Sequence, residues 1–483
     1  MNWHLVWIIG FLVLLFVVSL VATRTVKTAD NYIMGDFKMG FFPICGSIIA
    51  TVTGSAALIG GAAQGFNLGI SYSITVISFV GFTIVSMLLL GPIIRRLKLY
   101  TLPDLFARRF GKASALLPAL IIAFMYMTPT FGMQLVGMAS ILSSITELPY
   151  IWGILLGFVV IIAFTMIGGL PSVAWTDAIQ TVVILAGVAL TFIFGIIYVG
   201  GPTEFVRSAP SDLLSFGSIG TTEMLNWFLV FGPFYIVWQT TWQRITAARS
   251  VKTGMSAVIV GFIISGIIGV MAILIGIAGV QVFPAETNPD SVYTMFIVDL
   301  FPDWFGGLLM VSLLAALLTG ATSFLLSGAI NISKDIYQGW VNPQADDERI
   351  LKVSRLSVAA MAFLGLLIAL LIEDIIAIYQ VALSFTAASL VMPVMAAMFW
   401  RRATKAGVIV SIVGAVAAAL LWRIAGQPLG IHEIGPGLVV SAVLLVAVSL
   451  GTAHSPDEKV TAYFHDRKRL GSENPEDVTA GAS

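Results

Sequence analysis

The sequence predicts an all-α polytopic membrane protein of about thirteen transmembrane helices. Three observations carry the prediction. The 483 residues are 58% hydrophobic and 10% charged, with a mean hydropathy of +0.99, whereas soluble domains carry about 25% charged residues. The apolar residues gather into runs of roughly 17–25, the length a helix needs to cross the hydrocarbon core. Of the 25 lysines and arginines, all but Arg207 and Arg423 fall on one side once the runs are threaded back and forth. The net charge of zero selects no partner class.

The runs lie near 3–22, 43–66, 71–94, 114–143, 150–167, 173–200, 224–247, 256–280, 303–333, 353–372, 375–399, 406–425 and 434–453. No basic residue precedes the first, Arg24 and Lys27 follow it, and no small-x-small cleavage site stands out. It is therefore expected to be a retained span and not a cleaved signal peptide. The basic loops mark the cytoplasmic face of a cell membrane, which puts the N-terminus outside and the C-terminus inside.

The second run, 43–66, contains Thr51-Val52-Thr53-Gly54-Ser55, β-branched and glycine residues where a stable helix prefers leucine and alanine. Five spans later, 224–247 contains Gly232-Pro233; proline removes a backbone donor and clashes with the preceding turn. Paired breaks of this kind mark inverted repeats whose freed carbonyls bind cations and whose half-helix N-termini face anions. Five helices counted from each break give repeats at 43–200 and 201–400. One extra span and its loop precede them (1–42), two spans follow (401–453), and the polar remainder (454–483) suits a disordered cytoplasmic tail. Glycine and proline are also common in membrane helices generally, so each break taken alone is open to that plainer reading.

Asp177 stands just inside the sixth run, where an acid costs roughly 2.5–3.5 kcal/mol at the helix centre. It either faces a cation, a proton or a polar solute, or sits at the interface near a helix start, where the dipole favours it. In 303–333, Thr319, Thr322 and Ser323 share a face by their i, i+3, i+4 spacing. Hard cations take oxygen ligands, so these hydroxyls with a nearby carboxylate suit sodium; back-bonding to the helix's own carbonyls is the alternative. Gln134, Trp238, Gln239, Thr241, Tyr379 and Gln380 are uncharged polar residues inside other runs, candidates for substrate contact or for interhelical packing. They point to a neutral, zwitterionic or monocarboxylate solute. The four histidines (His4, His432, His454, His465) lie at span ends, loops or the tail, and no H-E-x-x-H, cysteine cluster or P-loop occurs. Metalloenzyme, haem and ATP-driven readings are thus disfavoured, no cofactor or nucleic-acid partner is expected, and no required protein partner is evident. Cys45, the single cysteine, is read as a small packing residue.

Several motifs together resemble the sodium/solute symporters, the family of sodium–glucose, proline, pantothenate and sialic acid transporters. They are Gly168-Gly169-Leu170 through Trp175-Thr176-Asp177 to Gln180, and Lys334-Asp335-Ile336-Tyr337; Gln134-Leu135-Val136-Gly137, Trp242-Gln243-Arg244 and Phe399-Trp400-Arg401-Arg402-Ala403-Thr404 also match. The resemblance spans roughly residues 30–420 and implies thirteen helices around a LeuT-type five-plus-five inverted-repeat core, working by alternating access. It implies a main sodium site at the carbonyls of Ala50, Thr53 and Ala316, the hydroxyl of Thr319, and position 320. Gly320 departs from the family's serine or threonine there; the missing oxygen either weakens sodium binding or invites a water. A second sodium site in some members matches Asp177, Thr319, Thr322 and Ser323. Gln380 matches a sugar-contacting glutamine, whereas Val52, Ala56 and Ala57 replace the polar contacts of sugar carriers, and Val52 replaces the acid of proline carriers. The function expected is sodium-coupled import of a small polar organic solute across the bilayer, with sodium as coupling ion. A proton-coupled or uncoupled carrier on the same fold, or a transporter-like membrane sensor, is the alternative; the roughly thirty-residue tail is too short for a kinase domain.

Overall fold

The computed structural model describes residues 2–23, 38–167 and 170–454 together with Val460 and Phe464, the side chains of 20–23 and 167–175 excepted. Most of the expected tail and the side chains of the Gly168–Trp175 motif lie outside the described residues. Helix is the only regular structure among those described, apart from one two-residue bridge. Nine helical runs among them are long and apolar enough to cross a membrane, and three shorter apolar helices accompany them.

In chain order, α1 (Trp3–Thr23) leads to a broken pair, α2 (Phe41–Val52) and α3 (Ser55–Leu68), followed by α4 (Ile74–Leu97). An amphipathic helix, α5 (Leu102–Phe110), precedes α6 (Lys112–Ile145), α7 (Tyr150–Ile167) and α8 (Leu170–Tyr198). The second broken pair is α9 (Thr221–Phe231) and α10 (Gln239–Ala247), then α11 (Val251–Val280) and the short α12 (Val292–Leu300). The long α13 (Asp303–Ile330) runs on in π geometry over Asn331–Val341, and α14 (Asp347–Leu371), α15 (Ile375–Phe399), α16 (Lys405–Ile424) and α17 (Ile434–Gly451) complete the fold. The sequence boundaries hold to within a few residues except where polar segments continue a helix. The eight residues beyond 333 remain helical, and among them Asp335 is buried and accepts from the Thr101 hydroxyl at 2.8 Å. The loop helices α5 and α12 have no apolar run long enough to betray them.

Both breaks are real gaps in the helical ladder and sit in the protein interior. Helix α13, buried along most of its length, is the central post. It packs on α6, α8, α1 and α2, while α3 packs on α11. In the α3–α11 contact, a Cβ on Gly65 would lie 2.2 Å from the Ile273 carbonyl oxygen, and one on Gly276 only 2.0 Å from that of Ala62. Only glycine permits that approach, the usual way membrane helices gain contact when water supplies no drive. Met39 N–H donates to the Ala247 carbonyl and Arg249 N–H to that of Met39, both at 2.9 Å. This bridge ties the start of α2 to the end of α10, so the outer ends of the two broken pairs are joined.

Candidate functional site

The α2–α3 break begins with sequence. Thr53 bonds backwards, its hydroxyl to the Ile49 carbonyl at 2.6 Å and its N–H to the same oxygen at 3.0 Å. Past it the ladder lapses. Ser55 N–H, which a continuous helix would point at Thr51, donates instead to Gln134 Oε1 at 3.0 Å. Ala57 N–H donates to Gly54 and not to Thr53. The carbonyls of Thr51 and Thr53 are thereby released from their helical partners, while Ala50 and Thr53 are fully buried. Freed, buried carbonyls of this kind suit a desolvated monovalent cation.

The α9–α10 break is wider, with Gly232 to Trp238 outside regular α-helix. Between the two breaks lies a narrow cavity of about 40 Å³, walled by Val52, Ala56 and Ala57 of the first pair, Phe231 and Tyr235 of the second, and Tyr72, Phe79, Ser265 and Tyr379. Its rings interlock: Tyr72 and Phe231 lie 6.2 Å apart, Phe231 and Tyr379 5.6 Å, Phe79 and Tyr235 5.6 Å, mostly edge to face. Tyr235 and Tyr379 hydroxyls meet at 3.1 Å, and the buried Ser265 hydroxyl has no partner. No acid or base lines the cavity.

Toward the other end of α2, Asp177 is fully buried and accepts from the Ser47 hydroxyl at 2.6 Å. Arg244 of α10, 1% exposed, donates through Nε to that hydroxyl at 2.8 Å and places Nη2 3.8 Å from Asp177. Asp177 Oδ1 has no protein partner. One turn further, Thr51 donates to the Ser47 carbonyl at 2.7 Å and meets Ser323 Oγ at 3.3 Å. Asp177, Ser47, Thr51 and Ser323 thus form one polar seam linking α8, α2 and α13, with Arg244 of α10 joined to it.

Thr319 is fully buried beside Ala316 on α13, and its hydroxyl bonds back to Ala315 at 3.0 Å. Thr322 bonds back to Leu318 and Thr319 and is only half-buried. Of the uncharged polar candidates, Tyr379 lines the cavity between the breaks, whereas Gln134, Trp238, Gln239, Thr241 and Gln380 do not. Gln134 caps α3. Gln239 is paired with Asn331 through both ends of its amide and also accepts from Leu102 N–H, so it fastens α10 to α13 and α5. Trp238 packs on Tyr235 and Phe262 at 5.5 and 5.7 Å. Thr241 is buried with its hydroxyl unpartnered, and Gln380 is half-buried next to Tyr379. The other residues that wall the cavity, Tyr72, Phe79, Phe231, Tyr235 and Ser265, carry no distinctive signal in the sequence, because aromatic residues and serines are ordinary in membrane helices. Only the dense aromatics after the first break and before the second hinted at them.

Across most of its length this chain matches the sequence model of the sodium:solute symporter family, over residues 32–414. The chain belongs to the sodium:solute symporter family. Among relatives of this symporter, the high-affinity proline transporter of Bacillus subtilis is 24% identical, covering 92% of this chain and 97% of the relative. The sodium/pantothenate symporter of Escherichia coli is 26% identical, covering 92% and 96%. A solved Na+-coupled sialic acid symporter superposes with a TM-score of 0.83 at 19% identity, covering 94% of this chain and 99% of that one. At that identity the shared property is the fold. The symporter is accordingly an all-α polytopic membrane protein of the LeuT-type five-plus-five architecture, a transporter and not an enzyme.

Proposed function

We propose that this chain couples inward movement of sodium to import of a small polar organic solute, neutral, zwitterionic or monocarboxylate, by alternating access. The observation that carries the reading is the pair of helix breaks facing one aromatic cavity, one of them bordered by released carbonyls. Sodium would sit between the α2–α3 break and α13, held by the carbonyls of Ala50, Thr53 and Ala316 and the Thr319 hydroxyl. A second ion would use Asp177, Ser323, Thr319 and Thr322, which requires the Asp177 carboxylate to exchange Arg244 for the ion. The solute would occupy the cavity once the surrounding rings part, since its present volume of about 40 Å³ holds only a few waters. Ala56 and Ala57, in the first turn of α3, line it, so a solute carboxylate would meet the positive end of that half-helix. The rings would cover its apolar part. Solutes carried by relatives, proline and pantothenate among them, fit the neutral-to-monocarboxylate class. One charge crossing 100 mV supplies roughly 2.3 kcal/mol, worth about fifty-fold accumulation at ~1.4 kcal/mol per tenfold. In this reading the N-terminus lies outside, the C-terminus is cytoplasmic, and the repeats run 43–200 and 201–400.

The test is counterflow in proteoliposomes against amino acids, sugars, vitamins and short carboxylates, with and without sodium. Sodium-dependent exchange of at least one solute is expected. Uptake that ignores sodium and collapses with a proton uncoupler would overturn the coupling ion.

A further inference from the structure

Five aromatic rings wall the cavity between the breaks: Tyr72 just before α4, Phe79 of α4, Phe231 at the end of α9, Tyr235 in the second break and Tyr379 of α15. Further rings back two of them, Trp227 at 5.0 Å from Tyr72 and Phe262 at 6.1 Å from Phe79. Polar groups in the wall are few. The Tyr235 and Tyr379 hydroxyls meet each other, Thr75 donates to the Tyr72 carbonyl at 2.8 Å, and buried Ser265 keeps an unpartnered hydroxyl. A second, larger space of about 260 Å³ lies further along α3. Ala57 and Gly61 line the first space and Gln64 the second, at the i, i+4, i+7 spacing of one helix face. The larger space carries Asp290, Glu373 and Asp374 and no basic side chain. None of these three acids has an ion-pair partner among the described residues. Asp374 is close enough to act electrostatically on the Tyr72 hydroxyl of the ring-walled cavity.

We infer that the solute is a zwitterion whose cation is a quaternary ammonium, held by the rings of Tyr72, Phe79, Phe231, Tyr235 and Tyr379 with its carboxylate toward the start of α3. The inference rests on the carrier reading above and narrows its solute class. Ring faces attract a cation without hydrogen bonds, and aromatic cages are a recurrent receptor for fully alkylated nitrogen. A primary ammonium brings three N–H donors. Few acceptors await them here, and a buried donor left unmet is costly. A plain monocarboxylate could use the rings as apolar cover, but the unpaired acids of the neighbouring space would repel it. A net-neutral zwitterion can approach those acids with its cation first. A cation without a carboxylate would leave the positive end of α3 unanswered. The unpartnered Ser265 hydroxyl offers the carboxylate a further donor.

Counterflow in proteoliposomes holding the full-length protein, with sodium present, tests this with glycine betaine as the labelled probe. Glycine betaine should exchange. Unlabelled 3,3-dimethylbutanoate has the same shape with carbon in place of the charged nitrogen. It should compete about tenfold or more weakly, the scale of a desolvated cation–π contact. Choline, which lacks the carboxylate, and free glycine, whose ammonium is primary, should also compete weakly. Phe231→Leu keeps apolar cover but removes a ring face, so it should shrink the advantage of betaine over the uncharged isostere several-fold. Phe79→Leu takes its place if that variant does not fold. Equal competition by the isostere, by choline or by free glycine overturns the inference, as does an advantage unchanged in the leucine variant. Exchange of another amino acid, sugar, vitamin or carboxylate, with no exchange or competition by betaine, overturns it and leaves the carrier reading standing. Exchange of no solute at all would overturn the carrier reading itself.

Discussion

Thr319 and Asp177 show how differently two buried polar residues act. Thr319 already satisfies its hydroxyl within its own helix, so its removal leaves no orphaned partner. Thr319→Ala should therefore leave the unfolding temperature almost unchanged while raising the sodium concentration for half-maximal uptake; equal sodium dependence in the two proteins would contradict the role proposed for it. Asp177 is the opposite case. Its carboxylate is sealed from water beside Arg244 and Ser47, and removing one member of a buried ion pair costs about 3–5 kcal/mol because the other charge is left uncompensated. Arg244→Gln should destabilise by roughly that amount, and Asp177→Asn should impair sodium-stimulated uptake. The combination of the two should be more stable than Arg244→Gln alone, read by thermal unfolding in detergent. Additive losses would mean that the pair does not interact.

At the scale of elements, the joint between α3 and α11 is set by glycines whose neighbours are backbone atoms. No rotamer change relieves such a contact. Gly276→Val should cost about 3 kcal/mol or more through forced separation of the helices, seen as lost expression or a lowered unfolding temperature, whereas a similar change at half-buried Gly217, which has nothing within 4 Å of its Cβ position but a φ of +90°, should act only through backbone strain. A second element-level effect concerns the segment before α12. Burial, and then the neighbouring Asp374 carboxylate, push Asp290 up to about 6, above the ordinary value of about 3.9. It borders a cavity of about 260 Å³ with Gln64, Asn67, Asn288, Glu373 and Asp374. A raised carboxyl pKa means that the packed arrangement prefers the protonated acid. Packing of this segment is therefore weakest above pH 6 and tightens as pH falls from about 6 toward about 4. Hydrogen exchange over 288–300, corrected for the intrinsic pH effect, should be slower at pH 5 than at pH 7.5, and Asp290→Asn should remove the difference.

Alternating access predicts a change of exposure across the whole molecule, and the chain carries its own reporter. Cys45, the single cysteine, is 6% exposed on α2 two residues before Ser47. If sodium holds α2 closed against α13 and the Asp177 seam, alkylation of Cys45 by a membrane-permeant maleimide should slow several-fold when sodium replaces choline. A rate independent of sodium would argue against movement of α2. The bridge between Met39 and the end of α10 predicts that the two half-helices move together.

Sequence by itself determined the membrane class, most span positions and both helix breaks. These follow from local chemistry: unbroken apolar runs, β-branched and glycine residues at Thr51–Ser55, and a proline that has no N–H to give at Gly232-Pro233. The motifs around Asp177 and Lys334 also carried the family. What only the tertiary structure decided is which polar side chains share a site. Gln134, Gln239 and Gln380 look alike in the sequence, yet one caps a broken helix, one pairs with Asn331 and one stands half-buried by the cavity. Ser47 and Arg244 gave no sign of converging on Asp177, nor Tyr72, Phe231 and Tyr379 of enclosing one space. Helical periodicity states which face a residue occupies along its own axis, whereas the partner on that face is fixed by how separate helices cross. In this molecule those crossings are set by backbone-to-backbone contacts at glycines far apart in the chain.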